Sequence, residues 1–104
     1  MKQISMFDCP ELIGKALYSA KLCPVRFAEA NGTQTERTWD GLDFFDFIAF
    51  ESDGAVVALR KHQGNRTEWC YVTLENYFGS NPTSFLANSL GLTESDIVQL
   101  DEHW

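Results

Sequence analysis

Residues 45–74 have the sequence FDFIAFESDGAVVALRKHQGNRTEWCYVTL, and this stretch decides the fold of the 104-residue chain. It contains three apolar runs rich in aromatic and β-branched residues, which favour strands. The runs are separated by SDG and HQGN, whose Gly, Asp and Asn residues favour turns. The stretch therefore predicts three consecutive antiparallel strands, a meander.

Two further strands are predicted before the meander. In residues 24–30, PVRFAEA, the side chains alternate in the way that predicts a strand. Residues 35–39, TERTW, are predicted to form the second strand of a hairpin with it. The Asn-Gly pair between them is a strong hairpin signal. The sequence thus predicts an antiparallel sheet of about five strands, made of one hairpin and one meander.

Helices are predicted at both ends of the chain. Asp8 and Pro10 suit the start of an N-terminal helix, which Pro24 would end. Near the C-terminus, Asn81 is a suitable cap for one helix that Gly91 would stop, and a second helix would follow. With the sheet, this order predicts a single α+β domain over residues 1–104, with all three helices packed on one face.

The C-terminal helices resemble the DNA-reading helix-turn-helix motif in the spacing of Ala87, Gly91 and Ile97. However, residues 67–104 contain no Lys or Arg. Phosphate contacts dominate DNA affinity and need cations, so direct binding to nucleic acid is not expected. The alternatives are a helical corner packed on the sheet and an acidic docking face.

The most unusual stretch is TWDGLDFFDF, residues 38–47, in which acids recur every third position among large apolar residues. Exposed rings beside carboxylates suit recognition of a basic partner, whereas a strand entered through a polar turn is the alternative. The spacing does not fit a calcium loop, and no metal is expected. The predicted partner-binding residues, here and in the C-terminal segment, are Trp39, Asp40, Asp43, Phe44, Asp46, Glu94, Asp96, Asp101 and Glu102.

Catalysis and cofactor binding find little support in the sequence. Cys9, Cys23 and Cys70 include no C-x-x-C pair, which argues against structural zinc, and no phosphate-binding glycine motif is present. Cys70 and His62 flank the same turn and could approach each other. A strand thiol between Trp69 and Tyr71 is nevertheless expected to be buried and inert, and no catalytic residue or cofactor is predicted.

The overall charge gives the functional expectation. The net charge of −7 repels nucleic acid and anionic membrane and attracts basic protein surfaces. No secretory signal or membrane span is recognisable, so a cytoplasmic protein is expected. We expect a small non-enzymatic binding protein, an inhibitor of the immunity or phage anti-defence type that covers a basic surface of a nucleic-acid-handling protein. The alternatives are a ligand-binding or enzymatic domain with an aromatic-lined pocket, and a structural subunit of a larger assembly.

Overall fold

The computed structural model describes residues 1–12 and 16–100. Within these ranges the chain is an α+β protein with seven strands and two α-helices. The strands are β1 (Lys2–Ile4), β2 (Tyr18–Lys21), β3 (Glu36–Trp39), β4 (Phe44–Ser52), β5 (Ala55–His62), β6 (Trp69–Glu75) and β7 (Ile97–Gln99). The helices are α1 (Pro24–Ala30) and α2 (Pro82–Leu90), and short 3-10 turns occur at Met6–Asp8, Pro10–Leu12 and Glu94–Asp96. No helix in the described part is long and apolar enough to cross a membrane.

The predicted meander is confirmed as β4, β5 and β6, which pair in succession and antiparallel. Ser52 pairs with Ala55, so the first connection is a two-residue turn. Both turn residues have positive φ, +48° at Asp53 and +84° at Gly54. This is the geometry that matches the twist of a hairpin, and Asp-Gly is well suited to it.

The sheet is larger than predicted. Its strands lie in the order β1-β4-β5-β6-β2-β7, and β3 also pairs with β4. The nine-residue β4 is long enough to hold β3 beside its first half and β1 beside its second half. The loop between β3 and β4 is therefore at one edge of the sheet, and β7 is at the other.

The first face of the sheet is buried and the second is covered in part, each by a different part of the chain. Both α-helices pack on the first face, where Ala28 and Leu86 meet Ile48 and Leu59. The second face is covered in part by the N-terminal 3-10 turns. That second cluster contains Met6, Cys9, Leu12, Phe45, Phe47, Ala49 and Ala58.

The predicted N-terminal helix is wrong. Asp8 lies in a 3-10 turn, and Tyr18–Lys21 forms β2 instead of a helical turn. β2 lies between β6 and β7, so its backbone has partners on both sides, and Tyr18 and Ala20 fill the core. These long-range pairings override the weak helix preference of the local sequence.

The predicted strand over residues 24–30 is also wrong, because this segment is α1. Pro24 occupies the first turn, where its missing N–H costs nothing, and Pro24 and Ala28 are buried four residues apart on one side of the helix. Asn31 ends the helix, so the Asn-Gly pair is not a hairpin turn. The predicted return strand over residues 35–39 does exist as β3, but it pairs with β4.

The second C-terminal helix is not formed in the part of it that the structure describes, residues 93–100. Thr93 and Asp96 form the expected capping box, but only a 3-10 turn follows, and Ile97 is already extended. The chain then joins the free edge of β2 as β7. A helix this short gains little without packing, whereas the strand gains a row of backbone hydrogen bonds. The helix-turn-helix geometry is therefore not formed.

Helix α2 has the predicted ends, and they give a testable stability effect. Asn81 accepts a hydrogen bond from the Ser84 N–H at 3.0 Å, Pro82 begins the helix, and Gly91 caps it with φ of +70°. Gly91→Val is expected to lower the free energy of unfolding by about 1–3 kcal/mol, because β-branched residues fit this region poorly. Chemical denaturation would measure it. Gly91→Asn, which tolerates positive φ, should cost less, and equal costs for the two variants would contradict the strain explanation.

Candidate functional site

The loop between β3 and β4 forms a well-defined projection, which we call the tip and define as Trp39–Phe44. Trp39 and Phe44 pair across the two strands, and the Asp40 N–H donates to the Asp43 carbonyl at 3.1 Å. Gly41 lies at the turn with φ of +98°, a conformation that glycine adopts without strain. The tip is thus a closed hairpin end.

Asp40 fixes the conformation of the tip. Its Oδ1 accepts hydrogen bonds from the N–H groups of Leu42 and Asp43, at 2.9 and 2.8 Å. Its Oδ2 lies 2.6 Å from Nε2 of His62 at the end of β5. The backbone donors first, and then His62, hold the pKa of the Asp40 carboxyl at about 2, well below its usual range.

The other two acids of the stretch also have partners within the protein. Asp43 Oδ2 accepts from the Gly64 N–H at 2.7 Å, which ties the tip to the turn between β5 and β6. Asp46 is bound through both oxygens by Arg37, at 3.0 and 3.2 Å, and its side chain is only 13% exposed. The predicted acidic band is therefore not a row of free carboxylates.

Apolar side chains dominate the outer surface of the tip. Leu42 is 90% exposed, Trp39 54% and Phe44 44%. The rings of Trp39 and Phe44 meet edge to face, with centroids 5.0 Å apart. Three large apolar side chains are thus displayed on a loop whose backbone is held by Asp40 and Asp43. Leu42 was not predicted, although an apolar residue inside a turn of polar and glycine residues is a recognisable signal.

The two predicted C-terminal acids that the structure describes, Glu94 and Asp96, do not join the tip. Glu94 is exposed, while Asp96 is engaged by Thr93 in the capping box. Both residues immediately precede β7, which is five strands away from β3 in the sheet. Because neighbouring strands lie about 4.8 Å apart, the distance between β3 and β7 across the sheet is roughly 24 Å. Asp101 and Glu102 lie outside the described residues.

A cavity of about 390 Å³ lies beside His62. Cys70 and His62 both line it, as the sequence allowed, but Cys70 belongs to the core cluster on the first face. Burial raises the pKa of the Cys70 thiol to about 12, so the thiolate that a nucleophile requires is not favoured. The complete lining is Ser19, His62, Asn65, Thr67, Trp69, Cys70 and Tyr71.

No metal centre or known relative identifies the site. Within residues 1–12 and 16–100, no three His, Cys, Asp or Glu side chains converge as ligands would. No family model, no curated protein and no solved structure matches the chain. The α+β class and the geometry of the tip and the cavity are therefore the basis for a functional proposal.

The low pKa of Asp40 predicts how the tip responds to acid. The folded-state pKa of about 2 lies below the ordinary 3.8, so the carboxylate stabilises the tip above pH of about 4. This contribution is lost as the pH falls from about 4 to about 2. The amide NMR shift of Leu42, whose N–H donates to Asp40, should follow that titration, and this low-pH change should be missing in Asp40→Asn. A midpoint near 3.8 in the wild type would contradict the hydrogen bonding described here.

Proposed function

We propose that the chain is a non-enzymatic protein-binding domain that docks through the tip into an apolar pocket on a basic partner. The observation that carries the proposal is the exposure of Trp39, Leu42 and Phe44 on a loop that hydrogen bonds hold in place. Large apolar side chains in one exposed group are typical of interaction sites. Tryptophan in particular is enriched among residues that dominate binding energy.

The rigidity of the tip supports this role. A flexible loop loses conformational entropy when it binds, which offsets part of the contact energy. Asp40 and Asp43 remove much of that cost beforehand, because they hold the loop to its own strands and to the neighbouring turn. The two carboxylates thus act by positioning the apolar side chains.

The charge of the chain supports a basic partner. Five acids and no Lys or Arg occur in residues 38–59, and the whole chain has a net charge of −7. Such a field speeds encounter with a positive surface and disfavours acidic partners. A narrower form of the proposal is that the partner handles nucleic acid and that the domain inhibits it by covering its basic surface.

The experiment is an affinity pull-down from the native host, with mass spectrometry, using matched variants of the whole chain. The wild type and Phe78→Ala should recover the same basic protein, because Phe78 is 93% exposed but lies outside the tip. Leu42→Ser should lose it. Recovery by all three proteins would refute docking through the tip. If the partner binds nucleic acid, the domain should also displace that nucleic acid from it.

A second candidate function, ligand binding in an aromatic-lined pocket, is favoured by the cavity beside His62. It uses the opposite face of the sheet from Trp39 and Phe44, and it does not require the tip to contact a partner. The residues around that cavity carry a more specific inference.

A further inference from the structure

The second face of the sheet is covered at one end and open at the other. Thr73 on β6 donates its hydroxyl to the Leu12 carbonyl at 3.4 Å, so the N-terminal turns cover this position. Further along the same face of β6, Tyr71 is 40% exposed and Trp69 is half-buried. The open end of the face is where the cavity of about 390 Å³ lies.

Arg60 on β5 is the unusual residue at this end. It pairs directly with Tyr71 across the two strands, and its guanidinium carbon lies 5.5 Å from the centre of the Tyr71 ring. Within the described part of the chain, its Nε is the one buried side-chain nitrogen or oxygen without a hydrogen-bond partner. None of the ion pairs formed by described residues includes Arg60. One nitrogen of this half-buried guanidinium is thus desolvated without an acceptor, an arrangement that proteins rarely keep without a reason.

Some polar groups around the cavity already form hydrogen bonds within the protein, and others have no such partner and are available to a ligand. Ser19 donates to the Cys70 carbonyl, Asn65 donates to the Trp69 carbonyl, and Thr67 donates to Asn65. No described residue accepts a hydrogen bond from the Trp69 indole N–H or from the Arg60 guanidinium. His62 of the lining contacts Asp40, so the available groups of the lining are the Trp69 indole N–H and the Tyr71 hydroxyl, with the Arg60 guanidinium beside the Tyr71 ring.

We propose that this cavity binds a small aromatic carboxylate with its ring against Trp69 and Tyr71. Its carboxylate would extend past Tyr71 and accept hydrogen bonds from the terminal nitrogens of Arg60, which lies against the Tyr71 ring beside the cavity and not in its lining. A guanidinium binds a carboxylate through two parallel hydrogen bonds, and the charge on both partners strengthens them. The aromatic pair supplies a flat apolar wall, and the volume is in the range of small-ligand sites. His62 of the lining also contacts Asp40 of the tip, but ligand binding does not require a docked partner, so either proposal can fail alone.

In the first test, the unmodified protein is titrated with each of two matched probes, benzoate and benzyl alcohol, and binding is monitored by NMR. Benzoate should shift the Trp69 indole N–H and the Arg60 Nε–H signals with saturation. Benzyl alcohol, which has the ring without the charge, should bind at least about tenfold more weakly, because it lacks the charge-assisted hydrogen bonds. Equal affinities, or no saturable shift with benzoate, would overturn the proposal.

The second test separates the Arg60 site from general attraction between cations and benzoate. Arg60→Met should weaken benzoate binding at least about tenfold, since it keeps an unbranched apolar stem but removes the donors. Arg66→Met is the control, because Arg66 is exposed in the nearby turn and should leave binding unchanged. Equal loss in both variants would show non-specific attraction and overturn the proposal. The comparison of the two probes decides the matter if Arg60→Met does not fold.

Discussion

Phe47→Ala is expected to lower the free energy of unfolding by about 3–5 kcal/mol, the usual range for removing a buried ring. Phe47 is completely buried on β4, beneath the N-terminal turns that supply Met6, Cys9 and Leu12. Removing the ring leaves a cavity, and the turns above it lose the surface against which they pack. Because small domains are stable by only about 5–15 kcal/mol, the change should be large enough to unfold a sizeable fraction of the molecules.

Denaturant unfolding followed by circular dichroism would measure this effect. Phe78→Ala is the matched control, since the same side chain is removed where it is 93% exposed, and a change within about 0.5 kcal/mol is expected. The N-terminal amides should also exchange faster in Phe47→Ala than in the wild type. If the two variants are equally stable, the second face is not a core.

The burial of Phe47 illustrates what the sequence could and could not predict about the sheet. The meander was predictable because its three strands are joined by short turns, so that pairing depends on local signals. Of the three predicted helices, only α2 is present among the described residues, although α1, which was predicted as a strand, packs on the same face. The cover on the second face was not predictable, because two 3-10 turns have no repeating apolar pattern from which burial could be inferred.

The errors at short elements have a common physical cause. A segment of four to seven residues can satisfy both helical and strand periodicity, so partners distant in sequence decide its structure. β2 is held by β6 and β7, which follow it in the chain by about fifty residues or more. α1 satisfies its backbone locally and contributes Ala28 to the first face. Neither outcome is encoded in the segment alone.

Some features of the candidate site could also be predicted from the sequence, and others could not. The sequence predicted that Trp39 and Phe44 belong to an unusual acid-aromatic stretch, and both are exposed. It could not predict that Asp40 contacts His62 or that Asp46 binds Arg37, since these contacts depend on the register of β3, β4 and β5. The acids of this stretch were expected to contact a basic partner, and the structure gives Asp40, Asp43 and Asp46 contacts within the chain.

The largest functional effect is expected when the tip loses its apolar side chains. If Trp39 and Leu42 anchor the partner, the double variant Trp39→Ala/Leu42→Ser should weaken binding about 1000-fold, because each anchor is expected to contribute about 2 kcal/mol. The loss should lie mainly in faster dissociation, since anchors act after encounter. Surface plasmon resonance with the recovered partner would resolve the two rates. Far-UV circular dichroism should show that the variant remains folded.

Asp43→Asn gives a complementary result, because it keeps every apolar side chain and weakens the bond that ties the tip to Gly64. If preorganisation matters, this variant should bind about tenfold more weakly, with a broader set of tip conformations visible by NMR. Raising the salt should slow association of the wild type and of both variants alike, since screening acts on the overall negative charge and not on the anchors. Wild-type affinity in the double variant would remove the tip from the binding surface. If Asp43→Asn instead dissociates at the wild-type rate but associates slowly, the carboxylates act by attracting the partner and not by positioning the apolar side chains.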